Sequence, residues 1–204
     1  MAGWLSASEK EINAMARIVV IIGHARTSTY CEALGESYRR GAEAAGHEVK
    51  LFVTSKMIFD PILHEGFERV QPLEPDLQAA HDAMMAADHL VIIFPLWFGS
   101  MPAILKGFLE RVQQPDLVEP SKQGKFPKLL KGKSARVIMT MGMPALVYRW
   151  WFGAHALKLL RHNILRFMGV HPVRSAIFGN FAGVGPQGRL RWLKNVERLG
   201  RHAA

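Results

Sequence analysis

Five times along this chain a short apolar run gives way to a longer segment with helical spacing. That alternation constrains the fold more than any single motif. The run RIVVIIG, Arg17 to Gly23, is β-branched and ends in glycine, as a buried parallel strand does. Thr29 to Ala45 follows with Leu34, Tyr38 and Ala42 on one stripe and Gly46 as a stop. His47 to Thr54 alternates Val49, Leu51 and Val53 with polar neighbours, a second strand. After a connection marked by Asp60-Pro61, Pro72 and Pro75 come a helix over Leu77 to Ala87 and a strand over His89 to Phe94. Pro102 to Val112 reads as a helix, and Gln113 to Lys133, rich in Pro, Lys and Gly, as an excursion or lid. Ser134 to Thr140 is the fourth strand, His155 to Met168 a helix, Pro172 to Phe178 the fifth strand and Gly188 to Gly200 a closing helix. Strands that alternate with helices imply an α/β fold: a five-stranded parallel sheet with helices on both faces and right-handed crossovers. Such sheets bind ligands beyond the carboxyl ends of their strands.

Composition agrees with one domain, residues 17–204, preceded by an arm at residues 1–16 that is either a dimer arm or disordered. The hydrophobic content of 49% over 204 residues is enough for a full core. No apolar run reaches the roughly 18 residues of a spanning helix. The N-terminus lacks the basic and apolar regions of a secretory signal, and the single cysteine suits a reducing cytoplasm. The net charge of +9 suggests phosphates or an acidic surface as partners. The cations match no nucleic-acid-binding motif, so nucleic acid is not expected. No metal site is read from the sequence.

Three loops fall where a ligand would bind. The first, Gly23 to Cys31, offers His24, Arg26, Ser28, Thr29 and a helix start, a set of donors suited to a phosphate. It has neither the lysine of a P-loop nor the spaced glycines of a dinucleotide turn. An ordinary N-cap at Ser28 or Thr29 would use the same residues. The second loop, Pro95-Leu96-Trp97-Phe98-Gly99, turns from the His89 strand into the next helix and makes an apolar wall for a planar ring, unless Trp97 and Phe98 are simply core. The third, Thr140-Met141-Gly142-Met143, carries a hydroxyl at a strand end and a glycine. Tyr148 and His155 follow it. Beside a redox cofactor these two could relay a proton, while a rim aromatic and a helix-surface histidine are the plainer alternatives.

The run Phe94-Pro95-Leu96-Trp97-Phe98 with Met101-Pro102-Ala103-Ile104-Leu105-Lys106-Gly107-Phe108 and Glu110-Arg111-Val112 resembles the flavin-ring loop and following helix of the flavodoxin-like NAD(P)H:quinone oxidoreductase family. That family includes the modulators of drug activity and the ancillary flavoproteins of potassium-efflux systems. The likeness extends from Arg17 to about Arg198. Gly23 to Leu34 is similar to the family's phosphate loop, with Thr29 matching its Ser/Thr and Cys31 standing where asparagine is usual. Thr140 to Met143 resembles a Thr-Thr-Gly-Gly loop, with Met141 and Met143 as departures. Tyr148 aligns with a tyrosine implicated in proton relay, and His155 lies one residue beyond its partner histidine.

The resemblance implies a cytoplasmic flavoprotein, an NAD(P)H dehydrogenase of the quinone type, holding FMN or FAD. NADPH or NADH would be its donor and a quinone or similar electrophile its acceptor. His24, Thr29, Tyr30 and Cys31 would hold the flavin phosphate, Pro95 to Gly99 would wall the ring, and Thr140 to Met143 would meet its pyrimidine edge. The chain's end near residue 200 tilts the expectation toward FMN. A homodimer is expected, with the active site at the subunit interface. The rival implication is a flavin-bearing regulatory subunit that docks peripherally on a membrane transporter through Arg149 to Arg166. A third is a module in which Met141 and Met143 have abolished flavin binding.

Overall fold

A computed structural model describes residues 15–203. The arm expected over residues 1–16 lies, but for its last two residues, outside the described residues. Five strands, β1 (Arg17–Ile22), β2 (Glu48–Val53), β3 (His89–Pro95), β4 (Ser134–Thr140) and β5 (Val173–Phe178), form one parallel sheet in the order β2-β1-β3-β4-β5. Burial explains their sequence signatures. The central strands β1, β3 and β4 are covered on both sides and are apolar almost throughout, while the edge strand β2 alternates because half of it meets water.

Helix α1 (Tyr30–Ala44) and helix α6 (Gly185–His202) cover one face, packing Leu34, Tyr38 and Val196 on Ile18, Val20, Ile22 and Ile93. The two helices cross very closely. A Cβ on Gly41 would lie 1.9 Å from the Glu197 carbonyl oxygen, and one on Gly200 would lie 2.1 Å from that of Tyr38. Only hydrogen side chains permit that crossing. Helices α2 (Pro75–Ala86), α3 (Ala103–Lys122) and α5 (His155–Lys158) cover the other face, against Val19, Ile21, Leu90, Ile92 and Val137.

Two of the expected elements take other bounds, and one element joins them. Residues 113–122 are not an excursion but the continuation of α3, through Pro115 and Pro120. Proline removes a backbone donor, and tertiary packing outweighs that loss. Leu117 and Val118 are buried, and the fully buried Gln114 amide donates to the carbonyls of Gly66 and Arg69. Only residues beyond Lys122 form the loop that returns to β4. The helix expected from His155 to Met168 is α-helical only to Lys158 and π-helical over Leu159–Arg166. A short helix, α4 (Ala145–Trp150), precedes it and was not expected.

The chain crosses from β2 over β1 to β3, so the strand order reverses between β1 and β3. Their carboxyl ends are the place where a sheet of this kind leaves a crevice.

Candidate active site

The loops after β1, β3 and β4 do meet there. The Gly23 amide donates to the Ile93 carbonyl (2.8 Å), and the Leu96 amide donates to the Thr140 carbonyl (2.8 Å). Between them lies a cleft of about 490 Å3. His24, Thr29, Tyr30 and Cys31 line its first side, Pro95, Leu96 and Trp97 its second, and Thr140, Met141 and Gly142 its third.

The first side is built for an anion. Thr29 caps α1 by accepting the Glu32 amide on its hydroxyl (3.4 Å) and the Ala33 amide on its carbonyl (3.1 Å). The N–H groups of Tyr30 and Cys31 find no acceptor among the described residues, as the first turn of a helix dictates. The Arg26 amide donates to His24 Nδ1 (2.9 Å), so a neutral His24 carries its proton on Nε2 and can donate it to a ligand. Burial, and then the Arg26 cation, hold the His24 pKa below the ordinary imidazole value, which favours that neutral form. The loop is held in shape by the Glu32 carboxylate, which accepts the Ser28 amide (2.8 Å) and pairs with Lys56. Ser28 itself adopts a left-handed φ of 55°.

Two of the expected phosphate contacts are narrowed by geometry. The Tyr30 hydroxyl donates to the Arg189 carbonyl of α6 (2.7 Å), and burial pushes its pKa up to about 12. Its backbone amide remains to serve a ligand. The Cys31 thiol is buried 3.5 Å from the Thr140 hydroxyl, and burial pushes its pKa up to about 11. At neutral pH it is a thiol, with little thiolate to react.

On the second side Trp97 stands edge-on to His24, with ring centroids 5.0 Å apart. Phe98 and Gly99, expected in the same wall, lie outside it. Trp97 and Ser100 exchange both backbone hydrogen bonds (2.9 Å each), and Phe98 and Gly99 form the two-residue turn between them at φ 47° and 74°. This is the geometry of a primed hairpin turn, and it points Phe98 into solvent. On the third side the Met141 amide and carbonyl are both engaged, by the Phe178 carbonyl (3.0 Å) and the Phe181 amide (3.2 Å). Met143 is half-buried against the core and does not reach the cleft.

Tyr148 and His155 are not brought to the cleft wall. Tyr148 is buried, and its hydroxyl accepts the Leu157 amide (3.2 Å), so it caps the first turn of α5 from within the core. Burial also raises its pKa. His155 lies exposed at the start of α5.

Phe181 and Ala182 line the cleft and were missed. They sit in the turn after β5, where the Phe181 ring packs on Tyr30 (5.0 Å) and lies under the Arg189 guanidinium (5.1 Å). Gly179 and Gly183, bracketing that turn at a fourth strand end, were the signal that could have found them.

Residues 16–199 match the family model described as flavodoxin-like fold. The chain belongs to that family. This flavodoxin-like chain is 32% identical over 132 residues to an uncharacterized NAD(P)H oxidoreductase of Haemophilus influenzae, covering 61% of this chain and 64% of that protein. It is 23% identical over 215 residues to NAD(P)H dehydrogenase [quinone] 1 of Rattus norvegicus, covering 91% and 78%. The chain spans less than two thirds of the length of the first curated relatives it matches. Among solved structures, NAD(P)H:quinone oxidoreductase from Methanothermobacter marburgensis superposes with a TM-score of 0.74 at 22% identity, over 92% of this chain and 96% of that one. An FMN-dependent NADH-azoreductase from Bacillus anthracis, solved with FMN, superposes with a TM-score of 0.62 at 19% identity, over 91% and 98%. At these identities the superpositions speak for the fold.

Proposed function

We propose that this protein is an NAD(P)H-dependent flavin oxidoreductase that passes a hydride from a nicotinamide, by way of a bound flavin, to a quinone or similar electrophilic acceptor. One observation carries the proposal: a helix start with free amides and an apolar aromatic wall converge in one cleft at the strand-order reversal. A flavin monophosphate has that same pairing of a phosphate and a planar ring, so the residues present fit it.

The amides of Tyr30 and Cys31, the Thr29 hydroxyl and His24 Nε2 would hold the phosphate, with Arg26 supplying positive charge. Pro95, Leu96 and Trp97 would wall the ring and keep water from one side. Gly142 would present backbone to the polar edge, since the Met141 backbone is already engaged. A bound flavin would supply the two-electron chemistry, and the protein would position it and tune its charge. FMN, with its terminal phosphate, suits that helix start. Tyr148 enters as a structural residue, its hydroxyl oxygen engaged by the α5 amide. A homodimer in the cytoplasm completes the proposal, with light scattering at twice the 22.8 kDa chain mass as its check.

Flavin titration followed by quenching of flavin fluorescence tests the assignment. The His24→Ala variant should bind FMN about tenfold more weakly and riboflavin unchanged, because only FMN carries the phosphate that the imidazole donates to. Failure of the wild-type protein to take up FMN, FAD or riboflavin would overturn the proposal.

A further inference from the structure

Cys31 meets two sides of the cleft at once. Its backbone amide is one of the N–H groups left open at the start of α1, on the side built for an anion. Its side chain joins the apolar cluster beneath α1, and Sγ ends 3.5 Å from Thr140 Oγ1 on the third side. Strand alternation accounts for the meeting. Thr140 lies two residues beyond Ile138, which packs under α1, so both side chains leave β4 on the α1 face. One residue thereby joins two walls of the cleft that lie 109 positions apart in the chain.

The third side is poor in donors. The Met141 amide is taken by the Phe178 carbonyl, and Met143 does not reach the cleft. Among the described residues, the Gly142 amide and the Thr140 hydroxyl are left on that side to face the polar edge of a ligand. A hydroxyl has one proton, so the direction of the Cys31–Thr140 bond decides what Thr140 can offer. A hydroxyl that donates to sulfur offers a ligand only lone pairs. A thiol that donates to the hydroxyl leaves the hydroxyl proton for the cleft. Burial pushes the Cys31 pKa up to about 11, so at neutral pH the thiol keeps the proton it would donate.

We propose that the Cys31 side chain is a positioning group: its S–H donates to Thr140 Oγ1 and so turns the Thr140 hydroxyl proton toward the polar edge of a bound flavin. This role rests on the oxidoreductase reading. Sulfur is a weak hydrogen-bond partner in either direction, so an acceptor carrying negative charge wins the hydroxyl proton readily. The ring edge of a reduced flavin carries more negative charge than that of an oxidised one. The Cys31 side chain therefore favours the reduced form and raises the midpoint potential, acting through Thr140. His24, by contrast, serves the phosphate.

Two readouts test this. The chain has one cysteine, so its S–H stretch gives a single infrared band, in a region that other side chains leave clear. A donating thiol absorbs at lower frequency, so the band of the flavin-free wild type should lie below that of Thr140→Val. Coincident bands would overturn the proposal. The second readout is the midpoint potential of bound FMN, with circular dichroism confirming that each variant is folded. Relative to oxidised FMN, Cys31→Ala should bind reduced FMN about fivefold more weakly than the wild type does, a fall of about 20 mV for a two-electron couple. Cys31→Ser, a stronger donor of similar shape, should restore the wild-type potential or exceed it. A residue that only fills the core would make Ala and Ser alike, and equal potentials in the three proteins would likewise sink the role. Because the Cys31 amide survives both changes, Cys31→Ala should weaken FMN and riboflavin by the same factor. A loss confined to FMN would place the effect at the phosphate and contradict the proposal. Wild-type protein that takes up no flavin overturns the oxidoreductase reading, while the infrared bands of the flavin-free protein still decide the Cys31–Thr140 bond.

Discussion

Thr54 Oγ1, at the end of β2, sits 3.0 Å from the His24 carbonyl oxygen and 3.1 Å from that of Ile22. One buried hydroxyl thus ties the edge strand to the turn that presents His24. Thr54→Val keeps the shape and removes the single proton that the two carbonyls share. It should cost about 1–3 kcal/mol in urea unfolding and weaken FMN binding severalfold, while Thr54→Ser retains both. Equal unfolding midpoints for Val and Thr would remove the hydroxyl from this role.

Arg111 is 1% exposed and holds the long connection between β2 and α2 in place. It donates to the carbonyls of Asp60 and Pro72 (2.8 Å for the latter) and pairs with Glu74 (3.0 Å). Arg111→Met leaves those carbonyls and a carboxylate without their partner. Breaking a fully buried pair costs about 3–5 kcal/mol. Glu74 keeps about a third of its exposure, so about 2–4 kcal/mol is expected, and Arg111→Lys should recover only part of it. Unfolding curves for the three proteins measure this, and an Arg111→Met variant as stable as wild type would contradict it.

The His81 Nε2 lies 2.7 Å from Asp116 and joins α2 to α3. Burial works to lower the His81 pKa, and the hydrogen bonds to Asp116 and Asp82 outweigh it, so the net shift is upward from 6.5. A group whose pKa is raised on folding stabilises fully below its unfolded value and loses that contribution as pH rises through the folded value. The wild type should therefore lose stability relative to His81→Gln as pH climbs from about 6 to about 8. Urea midpoints taken across that range check the sign. Parallel profiles would show that the pair contributes nothing.

Tyr148→Phe separates a cap from a proton relay. Loss of the hydroxyl oxygen leaves the buried Leu157 amide without an acceptor, at about 1–3 kcal/mol in stability. The rate of flavin reduction by the nicotinamide should stay within about twofold of wild type. A large fall in that rate with stability unchanged would restore Tyr148 to the chemistry.

The central strands were legible because a run buried on both sides is largely apolar, as residues 18–22, 90–94 and 137–139 are. The cleft was legible for the same reason, since three loops at strand ends had to converge once the strand order was parallel. What escaped depended on distant contacts. Nothing local to Pro115 says that Gln114 will find the carbonyls of Gly66 and Arg69, and those bonds keep α3 helical. Phe98 resembles a wall residue by type, yet it occupies a left-handed turn position that an aromatic seldom takes, so its outward direction carried no sequence signal. The burial of Tyr148 likewise follows from α5, whose first turn needs an acceptor.

The proposed activity depends most on a flavin that accepts electrons from a nicotinamide in the cleft between His24 and Trp97. The direct measurement is the anaerobic absorbance spectrum of the FMN-loaded protein before and after NADPH or NADH. A flavin band at about 450 nm should bleach with at least one donor and return on addition of a quinone. Bound flavin that neither nucleotide bleaches would contradict the oxidoreductase assignment.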